Sequence, residues 1–287
     1  MLTMKNMKRI TFLSAILLTS SLIIFYSCKK KANEVDTETQ SVVDNSIAEQ
    51  EFMQIQPTTH NMAIKTKGTG AQRTTAAASG GCDSLVYLGG DNTYANTANP
   101  PRYQFVYNTC SLPNVDGVVR TGTIQIAFVG KPKLVGSKTI IKLLNYTVNG
   151  TITYKCDSIV VTTLSDTLNP IKSFNVQVIH GLCVGTGWQI GYDCNTTIAV
   201  NTNNTAALSD DVTTVNGSSN GVNRNSKKFT VTTNNITKAA SCKWISMGSV
   251  DVTPEGLSTR TVDFGNGTCD DDATYTVNGQ TIKFKMK

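Results

Sequence analysis

A pentapeptide occurs twice without change, Tyr146-Thr147-Val148-Asn149-Gly150 and Tyr275-Thr276-Val277-Asn278-Gly279. Thr213-Thr214-Val215-Asn216-Gly217 differs from it only at the first residue. Asn-Gly supplies the positive φ angles of a type I′ turn, whose twist matches the strands on either side, so each copy predicts a tight hairpin. Elsewhere apolar and polar residues alternate: Ile124, Ile126 and Phe128 with Thr123, Gln125 and Ala127; Phe174, Val176 and Val178 with Ser173, Asn175 and Gln177; Ile282, Phe284 and Met286 with Thr281, Lys283 and Lys285. Period two predicts strands with one buried and one wet face. After Cys82 such runs recur between Gly, Asn and Asp punctuation, and no helix is needed. The expected fold class is all-β, an antiparallel meander, sandwich or barrel-like domain over residues 81–287.

That domain looks partly duplicated. Tyr103-Gln104-Phe105 through Thr109-Cys110 aligns with Val262-Asp263-Phe264 through Thr268-Cys269, preceded at nearly equal distance by Cys82 and Cys242. The repeat pairs Cys82 with Cys110 and Cys242 with Cys269, and a hairpin around Gly185 to Gly191 suggests Cys183 with Cys194. Cys156 is then the odd thiol, on the apolar side of its strand. A pairing of Cys156 with Cys183 or Cys194 stays open, because sequence does not give connectivity.

The other end of the chain reads as an export signal. Lys5, Lys8 and Arg9 precede an apolar run from Ile10 to Tyr26, and no acidic residue comes before Cys28. Phe25-Tyr26-Ser27-Cys28 resembles a lipobox, which makes residues 1–27 a signal peptide and Cys28 a lipidated anchor, with a disulfide-permissive compartment beyond it. Residues 28–80 are polar and Thr/Ala/Gln-rich, with isolated Phe52, Met53 and Ile55, and read as a flexible tether in which at most a short helix forms around Ser46 to Phe52. Of the 26 basic residues, three leave with the signal, against 20 acidic ones. A mature chain that close to neutral argues against nucleic acid as a partner.

Catalytic material is sparse. The two histidines are His60, in the tether, and His180, which continues the apolar parity of Phe174, Val176 and Val178 and so reads as a core or edge residue. A serine or cysteine nucleophile has no loop histidine to activate it. No Cys-x-x-Cys spacing suggests zinc, and no cofactor is expected. Acidic residues cluster near the C-terminus, where Asp263, Asn266, Asp270 and Asp272 offer oxygen ligands of the kind calcium takes, without an EF-hand spacing. A glycosidase, which needs only two carboxylates across a cleft, is the rival to that calcium site. Trp188, set among Gly185, Gly187 and Gly191, and Tyr192 are candidates to stack on a sugar ring.

The ending Thr259-Arg260-Thr261-Val262-Asp263-Phe264-Gly265-Asn266-Gly267-Thr268-Cys269-Asp270, with Ser249 to Pro254 before it, resembles a family of exported Bacteroidota lipoproteins carrying an Asp-Phe-Gly-Asn-Gly-x-Cys motif. Arg120 to Ile126 and Asn145 to Gly150 are similar to the middle of that family, while Tyr103-Gln104-Phe105-Val106-Tyr107 departs from it. The resemblance implies the phylum, the anchor and the β fold, and supplies no catalytic residue. The expectation is a lipid-anchored protein of the cell envelope, at the outer membrane on its periplasmic or outer side, that binds a glycan or an envelope protein, or serves as a structural module, without catalysis. A carbohydrate-active enzyme using two carboxylates and a carrier of apolar ligands are the alternatives.

Overall fold

The computed structural model describes residues 36–65, 84–107, 118–132, 134–165, 169–203, 205 and 210–286, with the side chains of its first helix described as far as Ile55. Among the described residues one helix, α1 (Gln40–Lys65), precedes fourteen strands: β1 (Ser84–Gly89), β2 (Arg102–Tyr107), β3 (Arg120–Val129), β4 (Lys138–Val148), β5 (Ile152–Lys155), β6 (Ser158–Thr163), β7 (Ile171–Gly185), β8 (Trp188–Asn201), β9 (Val212–Val222), β10 (Lys228–Ala239), β11 (Met247–Pro254), β12 (Arg260–Asn266), β13 (Asp272–Val277) and β14 (Gln280–Lys285). All pair antiparallel in one sheet that follows chain order, an all-β meander as the alternation predicts. β5 and β6 share a single position between β4 and β7: Tyr146 to Val148 pair with β5, Lys138 to Ile141 with β6, and the break falls at Cys156 and Asp157.

Two of the three Asn-Gly pairs that end the pentapeptide copies make the expected turns. Asn149 and Gly150 (φ 50° and 64°) join β4 to β5, and Asn278 and Gly279 (51° and 76°) join β13 to β14. Asn216-Gly217 instead lies inside β9, where a Cβ on Gly217 would stand 2.5 Å from the Asn195 carbonyl oxygen. The glycine is needed there for close backbone approach, and no hairpin forms.

One face of the sheet gathers the core. Ile124, Ile126 and Phe128 of β3, Ile141 of β4, and Phe174, Val176 and Val178 of β7 are buried as their alternation predicts. A smaller cluster joins Phe229, Val231 and Val252. β14 departs from the pattern: Ile282 and Phe284 continue the same parity but are 59% and 39% exposed. β14 is the last strand of the sheet, and among the described residues it pairs with β13 alone.

The tether expected over residues 28–80 is interrupted by α1, whose Ala48, Phe52 and Ile55 enter the main core while Val42 packs on the smaller one. One compact unit runs from Glu38 to Lys287. The helix is long and ordered by packing rather than by a greasy face, because much of what it buries is polar: Ser41, Asp44, Asn45 and Glu51. Its first turn is closed by Glu38, whose Oε1 accepts the Ser41 amide at 2.8 Å, a carboxylate at a helix N-terminus.

Cys242 and Cys269 form the expected disulfide. Cys183 and Cys194 do not. Cys183 stands opposite Ile190 and Cys194 opposite Val178, so the two sit four residues apart along β8, roughly 13 Å at the rise of a strand. That exceeds the Cα separation a disulfide tolerates. Both are buried thiols, and Cys156, half-buried, is a third. Cys28, Cys82 and Cys110 lie outside the described residues.

Candidate functional site

The outer face of the sheet opens into a groove of about 590 Å³ across β9 to β12, lined by Thr214, Asn234, Asn235, Thr237, Met247, Gly248, Ser249, Asp263 and Gly265. A fault in the ladder creates it. β10 slips register against both neighbours at Asn234 and Asn235, and Asn235 takes φ 49°. Its amide, which the ladder no longer satisfies, donates to Asn216 Oδ1 at 2.7 Å. Gly248 faces the bulge at φ 101°, and a Cβ there would lie 2.4 Å from the Asn235 carbonyl oxygen. Bulges of this kind twist a strand and re-aim side chains.

Neutral hydrogen-bonding groups cover the walls. Thr214 and Thr237 hydroxyls meet at 3.4 Å, and Asn234 Nδ2 donates to Asp251 Oδ2 at 3.1 Å. The other Asp251 oxygen accepts from the Thr261 hydroxyl at 2.6 Å. Asp263, opposite Ser249 in the ladder, is an exposed carboxylate that accepts the Gly265 amide at 2.8 Å. Met247 supplies apolar surface, 38% exposed. The rim is tied by Ser246, which donates its amide to the Thr237 carbonyl and accepts from Gly267, and beyond it by the Cys242–Cys269 disulfide.

The other expected site residues are placed differently. Tyr192 is buried and stacks on Phe52 of α1, ring centroids 5.6 Å apart and nearly parallel, so it is a core residue and not a sugar platform. Trp188 is half-buried against Gly185, and the Arg224 guanidinium lies 4.4 Å above its ring; that face is already covered. The four oxygen-bearing residues proposed for calcium are not gathered. Asp272 and Asp271 pair with Lys285 at 2.9 and 2.6 Å, Asp270 accepts the Asp272 amide, and Asn266 accepts from Thr268. Among the described residues no three His, Cys, Asp or Glu side chains come together to hold a metal.

His180 also departs from its expected place on the apolar face. A bulge in β7 between Val178 and Gly181 turns it outward at φ 49°. There its Nδ1 lies 2.6 Å from Asp157 Oδ2 and its amide donates to Asp193 Oδ1 at 2.7 Å. The Asp157 hydrogen bond and charge raise the imidazole pKa above its usual value. Cys156 precedes Asp157 in the chain, and burial pushes its thiol up to about 11.

On the inner face, a second constellation was not anticipated. Glu51 of α1 accepts from Arg120 and from the Tyr146 hydroxyl; Asp44 accepts from both the Arg224 amide and its side chain; Arg260 donates to the Glu38 carbonyl and faces its carboxylate. Strand parity carried a trace of it. Arg120 and Arg260 occupy the apolar side of their strands, where an arginine needs a buried partner.

No family model, curated protein or solved structure matches the chain.

Proposed function

We propose that this chain is a non-enzymatic binding module of the cell envelope, held to a membrane through Cys28, whose ligand is a glycan seated in the groove across β9 to β12. The observation that carries the reading is the chemistry of that groove. Asn, Thr and Ser side chains offer both donors and acceptors, one carboxylate adds a strong acceptor, and Met247 adds an apolar patch for the face of a sugar ring. Small numbers of placed polar groups over a partly apolar floor are what orient a neutral, hydroxyl-rich ligand. Ladder bonds and the Cys242–Cys269 disulfide hold the rim in place, so little ordering opposes binding.

The test is a glycan array followed by pull-down from envelope polysaccharide, using the parent protein and the Asp263→Ala, Asn234→Ala and Trp188→Ala variants. The reading expects binding that Asp263→Ala and Asn234→Ala each weaken about tenfold or more, the loss of one or two hydrogen bonds to a polar ligand, while Trp188→Ala leaves it intact. Binding that tracks Trp188 and ignores Asp263 contradicts it.

A glycoside-hydrolysing reading draws on one feature: Asp251 and Asp263 share the outer face one diagonal apart, within the range carboxylate pairs span. Both Asp251 oxygens, however, already accept hydrogen bonds. Reducing-end release from a bound polysaccharide, abolished by Asp263→Asn, would favour that reading over binding alone.

A further inference from the structure

The inner face of the sheet meets α1 in a way that a permanent core element does not require. Three arginines from separate parts of the meander, Arg120 on β3, Arg224 in the β9–β10 turn and Arg260 on β12, each face one carboxylate of α1 or of the residues that lead into it: Glu51 and Asp44 in the helix and Glu38 just before it, respectively. Asn45 Oδ1 accepts from Ser219, and the Ser41 hydroxyl from Asn223. Apolar anchoring of the main core comes from Ala48, Phe52 and Ile55. Buried ion pairs are close to break-even against apolar contacts, yet strongly disfavour any occupant that lacks the matching charges. Such a groove is selective for an acidic helix without gripping it tightly.

The sheet, for its part, does not need the helix to form its ladders. Every strand bonds to its chain neighbours or, at β5 and β6, to β4 and β7, and α1 takes no place in that order. Single elements commonly open at a cost below that of global unfolding, and opening of α1 leaves every strand pairing in place.

We propose that this inner groove is a receptor for an acidic amphipathic helix, with α1 as its resident, displaceable occupant, and that a helical segment of a partner protein with the same acid and apolar spacing binds by taking the place of α1. The recognition is helix-in-groove, with acids at positions equivalent to 38, 44 and 51 and apolar anchors at 48, 52 and 55. Cys183 reports the state of the groove. Its thiol is wholly buried on β7, pushed up by burial and then by the carboxylates of Asp44 and Glu51, so it reacts with an alkylating probe only when the helix site is vacant.

The experiment uses the full-length protein, its Phe52→Ala variant and a fluorescent peptide spanning Glu38 to Ile55. Phe52→Ala loosens α1 and leaves all three arginines in place. The expected result is peptide binding at least tenfold tighter to Phe52→Ala than to the parent, protection of Cys183 by bound peptide, and tenfold weaker binding of a peptide with Glu38, Asp44 and Glu51 changed to their amides. A folded variant with reactive Cys183 that binds neither peptide, or binds both equally, overturns the proposal. Should Phe52→Ala not fold, hydrogen exchange on the parent decides: amides of residues 44–55 exchanging at least tenfold faster than those of β7 and β8 support a displaceable helix, and equal rates overturn it.

Discussion

Arg120 holds Glu51 through two hydrogen bonds, Nε to Oε1 at 2.8 Å and Nη2 to Oε2 at 3.1 Å, with side chains only 6% and 7% exposed. Removing one partner strands the other charge away from water, which costs about 3 to 5 kcal/mol, whereas replacing both with apolar residues of similar size is close to neutral. Arg120→Met is therefore expected to lower the free energy of unfolding by that amount, and the double variant Arg120→Met with Glu51→Leu to recover most of it. Urea denaturation of the three proteins checks this.

The disulfide joins residues 27 apart in sequence. Closing a loop of that length stabilises the folded chain by about 3 kcal/mol through restriction of the unfolded one. Cys242→Ser with Cys269→Ser is expected to lower the denaturation midpoint accordingly and to weaken glycan binding, because the bridge lies beside the groove rim.

Gly248 has φ 101° and no room for a Cβ. Gly256, at φ 74°, has open space around it. Gly248→Ala is thus expected to destabilise the protein by about 2 kcal/mol or more, since backbone clash adds to the conformational cost, and Gly256→Ala by about 1 kcal/mol. Thermal unfolding of both variants tests the ordering.

How much of this was legible before the fold was known follows from what each element buries. β3 and β7 present apolar residues at every second position, so period two located them. Of α1 the sequence suggests at most a short helix around Ser46 to Phe52, because its buried face, Ser41, Asp44, Ala48, Glu51 and Ile55, repeats every three or four residues in polarity of mixed kind, and the usual helical pattern is apolar. Asn216-Gly217 reads as a turn but lies within a strand, since the same dipeptide serves a turn and a tight strand crossing, and only the partner strand decides which. Acid clustering pointed to Asp263, while the Asn234-Asn235 bulge that shapes its groove depends on the pairing of β10 with two neighbours. Trp188 and Tyr192 drew attention as aromatics near glycines, but Arg224 and Phe52, distant in sequence, cover them.

His180 is expected to titrate above the ordinary histidine range because Asp157 binds its imidazolium. A pKa raised in the folded state means the contact contributes stability fully below the unfolded histidine value, and that this contribution fades as pH rises through the folded one. An NMR titration of the imidazole should show the raised pKa, and Asp157→Asn should bring it down. An unchanged midpoint in the variant would contradict the pairing.

The most direct test of the central claim is amide chemical-shift mapping of the protein with an oligosaccharide that the array identifies. The account expects the largest shifts at Thr214, Asn234, Asn235, Ser249 and Asp263, with Trp188 and the inner face unmoved. Shifts centred on Trp188, or spread over the inner face with the groove silent, would contradict it.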